Sequence, residues 1–213
     1  MTTFLLIRHA AHGWLGRGLA GRLKGVQLSP EGREEARALA ANLSDFPVQA
    51  IYSSPLDRAR ETAAFLAAEF HLNVVYDAAF LEIDFGRWTG LAVATLEQDP
   101  EWLRWNTHRE TARVPGGEAM SEVRQRAIDQ LDQLARRHDA GCIIIVSHAD
   151  IIRAILTYCL GWSLDQIHDL EIQPASVTIV EWRDKCGRVV VINHPGARSK
   201  ISPSQFPAPS PPR

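Results

Sequence analysis

Short apolar runs alternate along this chain with longer stretches in which apolar residues recur every three or four positions. Phe4-Leu5-Leu6-Ile7 and Cys142-Ile143-Ile144-Ile145-Val146 are unbroken, the pattern of strands buried on both faces in a parallel sheet. Ala50 to Ser53 and Asn73 to Tyr76 predict two further strands. Ser29-Pro30-Glu31-Gly32 reads as an N-cap, an N1 proline and a first helical turn. Ala36, Leu39, Ala40 and Leu43 then share one face of a helix that runs to about Leu43. Further helices are predicted from Leu56 to about Phe70, from Glu118 to about His138, and from Ile151 to Leu160. Ser176 to Trp182 and Arg188 to Ile192 predict a strand pair joined by a turn around Lys185-Cys186-Gly187. Strands alternating with helices predict an α/β layered fold whose last pair forms an antiparallel edge.

Three stretches carry no regular period. Gly13 to Gly25, with Arg17, Arg22 and Lys24, is too rich in glycine for a helix and reads as a loop. Phe80 to Gly117 reads as a packed loop bearing Glu82 and Asp84, with Trp102 and Trp105 on a short amphipathic segment expected to cover a pocket. Trp14 joins them as an apolar wall or as plain core. From Pro195 the composition turns to Pro, Ser and Ala. The expected organisation is therefore one folded domain over 1–194 and an extended or mobile tail over 195–213.

Composition narrows the function classes. A chain of 213 residues, 46% hydrophobic and 23% charged, is that of one soluble globular domain. A formal net charge of -2 gives no global attraction to nucleic acid or an anionic membrane, so anion binding must come from a local arginine cluster. Cys142, Cys159 and Cys186 lack metal-ligand spacing and leave one thiol over in any disulfide scheme, which favours a reducing compartment. With no signal-peptide pattern and no apolar window of membrane-spanning length, the expectation is a cytoplasmic protein.

Candidate chemistry lies at strand ends. In open α/β sheets ligands bind beyond the carboxyl ends of the strands, where Arg8-His9 and Ser147-His148 follow the two strongest apolar runs. Arg58 falls near a helix N-terminus, where a cation is unfavourable unless it meets an anion. Two guanidinium groups can fork onto the oxygens of a phosphoryl group. One imidazole can attack while the other supports, and a carboxylate, Glu82 or Asp84, can protonate the leaving alcohol. No metal cluster is visible, so arginines and imidazolium would carry the charge stabilisation. Taken singly, each group has a bland reading as a structural histidine or a solvated strand end. His12, Arg17 and Lys24 read as solvated loop residues. Arg153 reads as a support for the helix after His148 or as the partner of a surface carboxylate.

Five segments together resemble the histidine phosphatase superfamily, also called phosphoglycerate mutase-like. They are Leu6-Ile7-Arg8-His9, Ser53-Ser54-Pro55-Leu56-Asp57-Arg58-Ala59 with Thr62, Leu81-Glu82 with Phe85-Gly86-Arg87-Trp88 and Gly90, Pro115-Gly116-Gly117-Glu118, and Val146-Ser147-His148. The resemblance runs in order from about Phe4 to Asn193 and implies a three-layer αβα sandwich with a mostly parallel central sheet. It further implies that His9 becomes phosphorylated, that Arg8, Arg58 and His148 line the phosphate pocket, and that Glu82 rather than Asp84 is the general acid and then the base. Arg22 resembles the family's additional basic residue on the loop after the histidine, touching phosphate or the leaving group.

No cofactor or metal is implied. The implied partner is a small phosphorylated metabolite, with no nucleic acid and no membrane, and with room for a homodimer. The implied reaction is hydrolysis of small phosphate monoesters. The alternatives are phosphoglycerate mutase-type transfer, α-ribazole phosphate hydrolysis, or a phosphate-binding module whose altered loop has weakened catalysis. The chain departs from the family at Ala10-Ala11-His12, which come after the histidine in place of Gly, an acidic residue and Thr or Ser. Thr89 replaces the usual Glu of Trp-Glu-Gly, and Ala149 the Gly of Ser-His-Gly. These changes fall on the rim of the pocket, where substrates are selected.

Overall fold

The computed structural model describes residues 1–205. Six strands form one sheet: β1 (Thr2–Arg8), β2 (Val48–Ser53), β3 (Val74–Tyr76), β4 (Cys142–Ser147), β5 (Val177–Arg183) and β6 (Cys186–His194). Their order is β3-β2-β4-β1-β5-β6. The first three pairings are parallel and the last two antiparallel. Helices α1 (Pro30–Asn42) and α2 (Asp57–Phe70) cover one face, and α5 (Met120–Arg137) and α6 (Ala149–Leu160) the other. The short α3 (Val93–Leu96) and α4 (Pro100–Thr107) lie in the segment before α5. The expected αβα sandwich and its antiparallel edge are what the chain forms.

The central strands explain the layering. Along β1, Phe4 and Leu6 enter the core under α5 and α6, whereas Leu5 and Ile7 enter the core under α1 and α2. Along β4, Ile143 and Ile145 face the first core while Ile144 and Val146 face the second. A strand with no polar face has to be covered on both sides. Each such side chain, fully removed from water, contributes about 1.5–3 kcal/mol.

Register brings the strand ends level. Arg8 pairs with Ser147 and Ser53 with Val146, so β1, β2 and β4 end at one height in the sheet. The backbone N–H of His9 continues the ladder by donating to the Ser147 carbonyl at 3.0 Å. Ser29 caps α1 as expected, its side chain accepting from the Gly32 N–H. The first turn of α1 presses on the loop after β1: a Cβ on Gly32 would collide with the Ala11 carbonyl.

Three expectations change. The β5–β6 turn is made by Asp184 and Lys185, both at positive φ (50° and 60°), the backbone of a tight hairpin. Gly187 lies inside β6, where a Cβ would strike Cys159 Sγ and the Trp182 ring, so its glycine serves close packing. Trp102 and Trp105 form no cover: Trp105 is buried against Phe85 and Trp88, both at 5.7 Å between ring centroids, and Trp102 packs against the same group. The expected tail folds back from its start. The Gly196 carbonyl accepts from Asn42 Nδ2 at 2.9 Å, Lys200 pairs with Asp45, and Ile201 is fully buried in the α1–α2 core. One isoleucine in a Pro/Ser stretch is enough apolar surface to seat it. Residues 206–213 of the expected tail lie outside the described residues. Among the described residues no helix is long and apolar enough to cross a membrane.

Candidate active site

The level ends of β1, β2 and β4 bring His9, Ser54 and His148 together, and Arg58, in the first turn of α2, reaches between them. Arg58 is 2% exposed. Its Nε donates to His9 Nε2 at 3.2 Å, and its Nη2 donates to the Gly21 carbonyl at 2.7 Å and to His148 Nδ1 at 3.2 Å. A guanidinium can only donate, so it settles both tautomers. His9 carries its proton on Nδ1, which donates to the Ala10 carbonyl at 2.8 Å, and keeps a lone pair on Nε2. His148 carries its proton on Nε2, which donates to Ser54 Oγ at 2.8 Å. The two rings are 5.1 Å apart. Burial, then the Arg58 charge, hold both imidazoles well below their ordinary pKa, so both are neutral.

Arg58 is itself pushed down to about 10 by burial and stays a cation at neutral pH. Its Nη1 is buried without a partner. Arg8, at the end of β1, spends Nη1 on the Ile172 carbonyl at 2.6 Å and leaves Nε buried and unpartnered. Two orphaned guanidinium N–H groups, on arginines that line one cavity with His9, are a polar arrangement completed by an anion.

Glu82 lies half-buried on the wall of the same cavity, with Oε1 accepting the Ile83 N–H at 3.0 Å. Burial first, then the neighbouring Asp150 charge, raise its carboxyl to about 7, against the opposing pull of Arg58. It is a carboxyl poised to exchange a proton near neutral pH. Asp150 is held by Arg153 Nη1 at 3.1 Å and by Arg109 Nη1 at 3.4 Å. Arg153 also donates Nε to the Leu170 carbonyl. The expected support role of Arg153 thus takes the form of a clamp on the residue two after His148.

Arg22 stands apart from the Arg58, His9 and His148 cluster. Its Nε donates to the Glu82 carbonyl at 2.8 Å, its Nη2 to Glu118 Oε2 at 2.8 Å, and its Nη1 lies 3.6 Å from Asp84 Oδ2. Two carboxylates outcompete the cavity for it, and it braces the Glu82 loop from behind. Arg126 does the same from α5, donating to the Ala79 and Leu81 carbonyls and to Glu118.

His12, expected in solvent, is 7% exposed and lines the cavity. Its ring is 5.1 Å from that of His9. The loop that carries it is strapped down. Ala10 N–H donates to Thr62 Oγ1, Ala11 N–H to Glu35, and Ser29 N–H to the Ala11 carbonyl, and His12 bridges Leu28. The signal for this in the sequence was weak, because every strap comes from a distant segment. The cavity, about 190 Å³, takes its apolar lining from Trp14, Leu15, Leu19 and Phe85. Among the described residues no cluster of three or more His, Cys, Asp or Glu could hold a metal.

The chain is similar to known proteins along nearly its whole length. The sequence model described as histidine phosphatase superfamily (branch 1) matches residues 4–195. Phosphoserine phosphatase 1 of Hydrogenobacter thermophilus is 30% identical over 195 residues, covering 91% of this chain and 92% of that protein. The metal-independent phosphoserine phosphatase of Arabidopsis thaliana is 32% identical over 195 residues, covering 87% and 78%. Among solved structures, Bacillus stearothermophilus YhfR superposes with a TM-score of 0.84 at 25% identity, covering 95% of this chain and 98% of that one.

Proposed function

The chain belongs to the histidine phosphatase superfamily and is a phosphatase-type enzyme, and from that premise we propose that it hydrolyses small phosphate monoesters through a phosphohistidine on His9. One observation carries the reading: His9 keeps a lone pair on Nε2, and the two arginines that line its cavity each leave one buried N–H unpartnered, Arg8 Nε and Arg58 Nη1. The phosphate enters against these two groups, and His9 Nε2 attacks phosphorus in line with the leaving oxygen. As the N–P bond forms and the P–O bond breaks, Glu82 gives its proton to the leaving alcohol. With a carboxyl near 7, a substantial fraction of Glu82 holds that proton at neutral pH. Ionised Glu82 then takes a proton from the water that attacks phosphorus, releasing inorganic phosphate and freeing His9. His148 holds Arg58 in place through Nδ1, and Ser54 holds His148.

Positive charge fixed around the phosphoryl oxygens is the main stabilisation such a transfer requires. The experiment is a phosphomonoesterase assay on His9→Ala protein together with a search for acid-labile phosphate on the unaltered chain. Turnover and phosphate incorporation should both disappear in the variant. Retained turnover would overturn the reading.

A further inference from the structure

Of the three neighbouring imidazoles, His9, His12 and His148, two have no N–H left to offer. His9 donates Nδ1–H to the Ala10 carbonyl, and His148 donates Nε2–H to Ser54 Oγ. His12 differs. Its Nδ1 accepts the Trp14 backbone N–H at 3.2 Å. A backbone amide cannot reverse that role, so the ring proton is on Nε2. That Nε2 has no hydrogen-bond partner among the described residues. The ring lines the cavity at the same 5.1 Å from His9 that separates His9 from His148.

A transferring phosphoryl group has three non-bridging oxygens on which charge is spread. The chain has two buried guanidinium N–H groups without a partner and this one imidazole N–H to meet them. We propose that His12 is a phosphate-binding residue of this enzyme, donating Nε2–H to a non-bridging oxygen of the substrate and of the phosphohistidine. The donor stands where the family pattern has Thr or Ser, on a loop that Thr62, Glu35, Ser29 and Leu28 hold rigid. Burial and the charges of Arg58 and Arg8 hold the ring neutral, pushing it down to about 4. His12 therefore contributes a hydrogen bond without adding a charge that would repel Arg58. This inference rests on the reading of the cavity as a phosphoryl site.

Two substitutions separate the donor from the loop anchor. His12→Asn puts an acceptor near the position of Nδ1 and keeps the Trp14 bond but loses the donor. His12→Gln places an N–H near the position of Nε2 and loses the anchor. Losing one hydrogen bond to a charged oxygen should weaken binding of orthovanadate, a mimic of the transferring group, by about tenfold or more in His12→Asn, with an unchanged thermal midpoint. His12→Gln should stay within about threefold of the unaltered protein on the same grounds. Unchanged vanadate binding in His12→Asn, or weakened binding confined to His12→Gln, overturns the proposal.

A measurement on the unaltered protein covers the event that neither variant folds. Adding inorganic phosphate should move the His12 Nε2–H proton resonance downfield and slow its exchange, and a resonance that does not respond overturns the proposal. Turnover of p-nitrophenyl phosphate with an unresponsive His12 overturns this inference alone. A protein with neither turnover nor phosphate binding overturns the reading beneath it as well.

Discussion

Arg58 Nε donates to His9 Nε2 at 3.2 Å, so the lone pair that would attack phosphorus is already engaged before any phosphate arrives. An entering anion has to take over that N–H, and the same guanidinium that guarded the lone pair then binds the oxygen beside it. In the proposed mechanism Arg58 thereby couples substrate arrival to the release of the His9 lone pair. Arg58→Gln should lower kcat/KM for p-nitrophenyl phosphate by about a hundredfold or more, since a buried charged donor is lost from the transition state. With that charge gone, the His9 and His148 imidazoles should also titrate closer to their ordinary range, as read by NMR of the ring protons. Ring titrations identical to those of the unaltered protein would contradict the coupling.

Glu82 links activity and stability to pH with opposite consequences. Its carboxyl is raised to about 7 in the fold, against an ordinary value of 4.5. The group therefore contributes stability that is fully present below about pH 4.5 and lost as pH rises through about 7. Glu82→Gln removes this loss, so the variant should be more stable than the unaltered protein by on the order of 2 kcal/mol near pH 8.5 and equal to it near pH 4, measured by urea unfolding. The same variant should hydrolyse alkyl phosphates poorly at every pH, because their leaving groups need the proton.

Asp150 is the largest charge effect raising that carboxyl. Asp150→Asn removes the repulsion and frees the Arg109 and Arg153 charges, and both changes favour ionised Glu82. The alkaline limb of kcat against pH should move to lower pH. A limb that stays in place or moves upward would rule out this electrostatic tie.

Arg22 and Arg8 should separate cleanly. Arg22 braces the Glu82 carbonyl against Glu118 and Asp84, whereas Arg8 lines the cavity and keeps a buried, unpartnered Nε. Arg22→Ala should lower kcat by about tenfold, by loosening the general acid, while leaving competitive inhibition by inorganic phosphate unchanged. Arg8→Ala should weaken that inhibition. A loss of phosphate inhibition in Arg22→Ala would return Arg22 to the pocket.

A mutase must shield its phosphohistidine from water. Here Trp102 and Trp105, the tryptophans of the stretch between Gly90 and Pro115 that was expected to cover the pocket, pack instead on Trp88 and Phe85. Incubation with 3-phosphoglycerate should therefore yield free phosphate and not the 2-isomer, and phosphorus NMR distinguishes the two.

The layers of this fold were legible because burial on two faces writes itself locally. Phe4 to Ile7 and Ile143 to Val146 leave no polar position to misread, and Ser29-Pro30 marks the start of α1 within one residue. Arg8, His9 and His148 were legible at strand ends and Arg58 at the start of a helix, whereas Glu82 was separable from Asp84 only through the family resemblance. What escaped depends on partners far along the chain. Arg22 reads as a pocket residue until Glu118, 96 positions away, claims it. His12 reads as a solvated loop residue until Glu35, Thr62 and Leu28 close over its neighbours. Ile201 is one apolar side chain among prolines and serines, and only the α1–α2 core shows where it goes.

The level ends of β1 and β4 also set when this protein becomes competent during folding. Arg58 and His148 lie 90 positions apart, and Arg58 and His9 lie 49 apart, so the site is assembled from contacts of high sequence separation. Parallel pairings of that kind close late, after loop entropy has been overcome. A partly folded chain can hold its helices and still lack any site. Return of phosphatase turnover on refolding should therefore lag helix formation and coincide with the closing of the β1–β4 pair, which makes activity itself a clock for completion of the sheet.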